Sequence, residues 1–121
     1  GSLATISGSI PTNQTAACWL VITRNGKFAF TSNTGNGVIS GYRVRQDGKL
    51  SLLNPSGVSA TTGGVTSDPV DIALTHDSRF LYGINVGTGT LIGWRVKEDG
   101  QLVFLQQVEK IPASATGLVA R

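Results

Sequence analysis

Few residues in this 121-residue chain have side chains that could do acid–base or nucleophilic chemistry, and they are scattered. There is one histidine (His76), one cysteine (Cys18), and seven carboxylates in all. A single cysteine forms no internal disulfide and supplies too little sulfur for a structural zinc site. The sequence contains no Gly-x-Ser-x-Gly elbow and no His-Glu-x-x-His pair, so the patterns of a serine hydrolase or a zinc protease are missing. Gly35-Asn36-Gly37 and Gly87-Thr88-Gly89 look superficially like phosphate loops. Neither precedes a helical pattern or a Lys-Ser/Thr pair, and their recurrence at equivalent positions marks them as strand connections. No metal or cofactor is expected.

Asp71 is the residue that stands out. It interrupts the apolar run Pro69-Val70-Asp71-Ile72-Ala73-Leu74, where an unpaired carboxylate is costly and must find a partner or water. Two readings stand side by side: a ligand contact, or an acceptor for backbone N–H groups at a packing junction, the commoner use of a buried polar group. His76 sits in a turn signal, Thr75-His76-Asp77-Ser78-Arg79, and reads as a solvated turn residue. Cys18 lacks a basic partner and reads as a small buried residue.

The elements that must carry these residues follow from a repeat. Ala17–Leu53 laid over Pro69–Leu105, a shift of 52 positions, needs no gap and gives 12 identities in 37 positions. Unrelated segments of ordinary composition would give roughly two or three. Each copy reads as four short strands. Trp19–Thr23 and Asp71–Thr75 come first, and Arg24-Asn25-Gly26-Lys27 and His76–Arg79 then turn into Phe28–Ser32 and Phe80–Ile84. Glycine-rich links lead to Val38–Arg45 and Thr90–Lys97, and Asp47-Gly48 and Asp99-Gly100 turn into fourth strands near Leu50–Leu53 and Leu102–Leu105. No segment carries a helical apolar period. Four antiparallel strands recurring at about 50 residues indicate β-propeller blades, an all-β fold.

The expected organisation is therefore a last strand of a preceding blade and its link over residues 1–16. A blade over 17–68, a blade over 69–107, and a tail with a first strand of a closing blade over 108–121 follow. Gly1-Ser2-Leu3 matches Gly48-Lys49-Leu50, which suggests that opening strand. Two blades cannot close a ring of the usual four to eight, so the chain is expected to associate with further blades or with copies of itself. Within the repeat Trp19 occupies the place of Asp71, and Asn33 and Asn85 end the second strands near the same rim. Asp71 and Trp19, with Asn33 and Asn85 as weaker members, are the candidate ligand contacts at a channel mouth. The alternative for the asparagines is an Asx-type bond shaping the next turn.

The net charge is +3, from ten Lys and Arg against seven Asp and Glu. The basic residues are dispersed along the sequence, which argues against a nucleic-acid patch. No run approaches the ~20 apolar residues of a spanning helix, and Gly1–Ile10 lacks signal-peptide character. No membrane partner is expected, and the compartment, cytoplasmic or periplasmic, stays open.

The residues Thr23-Arg24-Asn25-Gly26-Lys27-Phe28-Ala29-Phe30-Thr31-Ser32-Asn33, then Gly37–Val44, then Asp47-Gly48-Lys49-Leu50, resemble one blade of the lactonase-type seven-bladed propellers. Pro69–Leu74 through Gly100-Gln101-Leu102 resembles the next, and Ile111–Arg121 resembles the end of such a protein. That family includes propeller-type 6-phosphogluconolactonases and carboxy-cis,cis-muconate cyclases. The resemblance implies about five further blades, and an intact ring that hydrolyses or forms a lactone of a sugar acid or dicarboxylic acid. A non-catalytic binding or scaffold propeller is the alternative, with no independent activity in these two blades.

Overall fold

The computed structural model describes all 121 residues and contains strands, turns and links but no helix. No helix is therefore long and apolar enough to cross a membrane. Nine strands form two antiparallel sheets. The first blade holds β1 (Ala17–Ile22), β2 (Phe28–Asn33), β3 (Val38–Val44), β4 (Leu50–Leu52) and β5 (Ala60–Thr61). The second holds β6 (Pro69–Leu74), β7 (Phe80–Asn85), β8 (Thr90–Val96) and β9 (Leu102–Val108). Strand order is sequential in both, β1-β2-β3-β4 and β6-β7-β8-β9, and β5 also pairs with β3.

The internal repeat is visible in the register. Phe28 pairs with Arg43 as Phe80 pairs with Arg95, and Asn33 with Val38 as Asn85 with Thr90. Each inner pair carries an irregularity at its start, between Ala17 and Leu20 and between Pro69 and Asp71. The connections repeat as well. Thr34 and Gly35 donate to the Ala16 and Thr15 carbonyls, just as Val86 and Gly87 donate to those of Asp68 and Ser67.

The outer strands depart from the expected symmetry. In the second blade β9 runs unbroken over seven residues. In the first, Asn54-Pro55-Ser56-Gly57 occupies the positions of Gln106 to Glu109, and proline has no N–H to offer the ladder. The outer edge therefore breaks into β4 and β5, separated by a turn in which Gly57 donates to the Asn54 carbonyl.

The core lies between the blades. Phe28, Phe30 and Ile39 of the first blade meet Ile72, Leu81, Ile92 and Trp94 of the second in one buried cluster. The middle strands are sandwiched, β2 being buried along its whole length. Glycines on β3 and β8 give the facing aromatics room. A Cβ at Gly41 would come within 3.2 Å of the Phe30 ring, and one at Gly93 within 2.9 Å of the Tyr82 ring. The β8–β9 turn tucks against the first blade, where a Cβ at Gly100 would meet Phe28 at 2.6 Å. Removing Phe30 or Trp94 from such a junction would cost about 3–5 kcal/mol.

The termini lie where the repeat points but are not strands. Residues 1–16 and 109–121 adopt no ladder pairing, unlike the strands expected near Gly1-Ser2-Leu3 and in the tail. Ile6 packs at Gly48 as Leu53 packs at Gly100. Leu118 to Ala120 lie beside Ile72 to Leu74 of β6.

Candidate functional site

The blades present two rims. One gathers the links that follow β2 and β7, and the other gathers the tight turns after β1, β3, β6 and β8. Asp71, Trp19, Asn33 and Asn85 all belong to the link half of the blades, and His76 to the turn rim.

Asp71 is held by β6 and is 5% exposed. Its Oδ2 accepts the Leu118 backbone N–H at 2.8 Å, tying the tail to the inner strand. This is the backbone-acceptor arrangement that one reading of the sequence anticipated. Its Oδ1 is buried without a hydrogen-bond partner in the chain. Trp19, at the same repeat position on β1, remains 49% exposed. It lines an open apolar groove with Val21, Ile72, Leu74 and Leu118, so Leu118 links the Asp71 and Trp19 positions.

Asn33 and Asn85 are fully buried, and neither makes an Asx-type turn. The Asn33 amide donates to the Val38 carbonyl at 3.3 Å and to the Ser40 hydroxyl at 2.9 Å. The Asn85 amide donates to the Thr62 carbonyl at 2.9 Å, across the blade junction, and to Thr90 Oγ1 at 3.0 Å. The expected Asx bond uses the side-chain oxygen; here the nitrogen does the work, because buried carbonyls on the neighbouring segments require donors. Both Oδ1 atoms have no partner. No hydrogen bond joins any two of the four candidates.

Cys18 is exposed, contrary to the buried role read from sequence. Its Sγ nevertheless reaches the Val70 carbonyl of β6 at 3.9 Å, so the thiol sits at the exposed edge of the blade junction rather than inside it. His76 is exposed in its turn, and its Nε2 lies 3.1 Å from Arg24 Nη1 across the blades. A second cross-blade bond runs from the Arg24 N–H to Ser78 Oγ at 2.8 Å.

The turn rim holds what dispersal along the sequence concealed. Arg24, Lys27, Arg43, Arg45, Lys49, Arg79, Arg95 and Lys97 are eight of the ten cations, and all lie at this rim. The acids there are Asp47, Asp77, Glu98 and Asp99. The hairpin topology brings these separated segments together, a folding that charge spacing along the sequence does not reveal. The Thr75 hydroxyl and the Arg79 N–H hold the Asp77 carboxyl below the usual range. The Gln101 N–H does most to lower Asp99.

No known family profile matches this sequence, and no curated protein matches it. Solved structures do. A Lactobacillus plantarum protein is 23% identical over 91% of this chain and 31% of its own, with a TM-score of 0.67. The Pseudomonas aeruginosa periplasmic gluconolactonase PpgL is 22% identical over 82% of this chain and 27% of its own, with a TM-score of 0.65. The β-propeller domain of Myceliophthora thermophila Cps50 (Swd1) is 14% identical over 79% of this chain and 26% of its own, with a TM-score of 0.50. The chain thus spans less than a third of the length of each. At these identities the likeness is one of fold: the two sheets are blades of a partial β-propeller.

Proposed function

We propose that these two blades belong to a lactonase-like propeller whose closed ring acts on the lactone of a sugar acid. The observation that carries the reading is the fold likeness over 82% of this chain to a protein named as a gluconolactonase. In lactone hydrolysis water adds to the ring carbonyl carbon and the ring C–O bond breaks. The proton lost by the water ends on the freed hydroxyl. Such chemistry needs a base near the water and donors near the carbonyl oxygen. From this chain Asp71, whose buried Oδ1 has no hydrogen-bond partner, is the acceptor offered for that role, and Trp19 offers a flat apolar surface to a sugar ring. The remaining groups would come from other blades, supplied by further chain or by copies of this one.

A non-catalytic binding or scaffold propeller is the second reading. It is favoured by the hydrogen bond that commits Asp71 Oδ2 to the tail. The two separate in a pH-stat assay of gluconolactone opening by the ring-closed form. Turnover is expected, and Asp71→Asn should lower it at least tenfold while thermal stability falls little. Equal loss of stability and turnover would make Asp71 a structural residue. A ring that binds gluconate yet opens no lactone would establish the scaffold reading.

A further inference from the structure

The turn rim contains a recess that occurs twice. In the first blade it measures about 580 Å³ and is lined by Lys27, Arg43, Val44, Arg45, Gln46 and Asp47. In the second it measures about 730 Å³ and is lined by Arg79, Arg95, Val96, Lys97, Glu98 and Asp99. A shift of 52 carries the first set onto the second residue by residue. Three cations face each recess at matched positions: Lys27 with Arg79, Arg43 with Arg95, and Arg45 with Lys97. The same three-cation set thus stands in both copies of the repeat.

The cations are differently engaged. Arg45 approaches Asp47 at 3.6 Å, and Lys97 approaches Asp99 at 3.8 Å, as loose surface pairs. Arg43 lies 5.3 Å over the Phe28 ring and Arg79 lies 5.9 Å over that of Phe80, which orients both guanidinium groups at the rim without neutralising them. The Asp47 and Asp99 carboxylates are further occupied by the backbone N–H groups of Lys49 and Gln101. One position differs in charge: Gln46 in the first recess stands where Glu98 stands in the second. By their linings the first sets three cations against one carboxylate and the second sets three against two, although Asp99 also acts at longer range on Arg43 of the first.

We infer that each blade carries an oxyanion-binding recess on its turn rim, and that the first-blade recess of Lys27, Arg43 and Arg45 is the tighter. The ligand chemistry is a phosphate or carboxylate group gripped by paired guanidinium donors and an ammonium. The inference stands whether or not the ring opens lactones, because it concerns the opposite rim from Asp71 and is read by binding alone.

Titration of the ¹⁵N-labelled chain with inorganic phosphate, and separately with gluconate, tests it at constant ionic strength. Phosphate should shift two groups of amides, around residues 43–47 and 95–99, with the first saturating at lower concentration. A response to both ligands identifies general oxyanion capture. A response to phosphate alone identifies phosphate or phosphate-ester capture, and either outcome supports the recess. Gln46→Glu should weaken the first site, and Glu98→Gln should strengthen the second, each by about threefold to tenfold for one added or removed charge at contact range. Both substitutions lie at exposed turn positions, so folding should persist, and an unchanged circular dichroism spectrum would verify it. Weak, uniform shifts across the rim that neither substitution alters would overturn the inference, since that is ion screening. Saturable binding insensitive to Arg43→Gln paired with Arg95→Gln would overturn it too.

Discussion

At the residue scale, the side chains that looked chemically promising turn out to be joinery as much as chemistry. Asp71 fastens the tail to β6, and Asn85 reaches from one blade to the link of the other. The sequence made Asp71 conspicuous because a carboxylate in an apolar strand is energetically odd. Its actual partner, a backbone N–H 47 residues away, carries no residue-type signal and could not be read. The turn aspartates permit a prediction about pH. Asp77 and Asp99 have carboxyls depressed in the folded state by donated hydrogen bonds. A depressed carboxyl stabilises the fold above its unfolded pKa and loses that contribution as pH falls through the folded value. Stability should therefore decline below about pH 4. Asp77→Asn should flatten part of that acid limb in urea unfolding; an identical limb in the variant would refute this role for Asp77.

At the element scale, hairpin turns, strand order and strand periodicity were legible, because each follows from short-range rules. Asn25-Gly26 closes its turn as expected, and Gly37 illustrates what was less visible. Its φ is +66°, and an added Cβ would sit 1.8 Å from the Gly64 carbonyl oxygen. Thr62 also donates to the Gly37 carbonyl at 2.9 Å, so the glycine-rich link and the inter-blade link are stitched together. Sequence marked Gly37 as part of a connection; the packing that makes it obligatory comes from Gly64, 27 residues on. Gly37→Ala should cost several kcal/mol, on the order of 3 or more, since both the backbone region and the space are denied. A chemical-denaturation midpoint close to that of the unsubstituted chain would show that the link can move aside. The equivalent Gly89 is less confined: its nearest neighbour to an added Cβ is the Ile111 carbonyl at 3.0 Å, so Gly89→Ala should be milder.

At the scale of the whole molecule, the blades have unlike surroundings. Ile72 on β6 is 1% exposed, whereas its repeat equivalent Leu20 on β1 is 58% exposed. Phe28 and Phe30 are buried, whereas Phe80 and Tyr82 are only half-buried. The apolar pattern is alike in both copies, so the sequence does not show which face is left bare; the difference arises because a blade buries its faces only against neighbours. We expect the 121-residue chain to self-associate, its mass by light scattering rising with concentration, and Leu20→Lys to lower that mass. A compact monomer up to the highest soluble concentration would count against self-association. The rim charge was illegible too, since only the hairpins bring residues 24, 43, 79 and 97 to one edge.

The link between β5 and β6 has a consequence for covalent continuity. The chain passes from one blade to the other once, through a segment in which Val65 is 69% exposed. The union of the blades rests on more than that exposed peptide: on the Phe30–Trp94 core, on the bond from Asn85 to Thr62 at the start of the link, and on the Arg24–Ser78 bond. The exposed peptide at Val65, the bulge of an otherwise packed link, is therefore one tie among several. Cutting it would yield two pieces that still recognise each other, a natural place to divide the molecule into complementing halves.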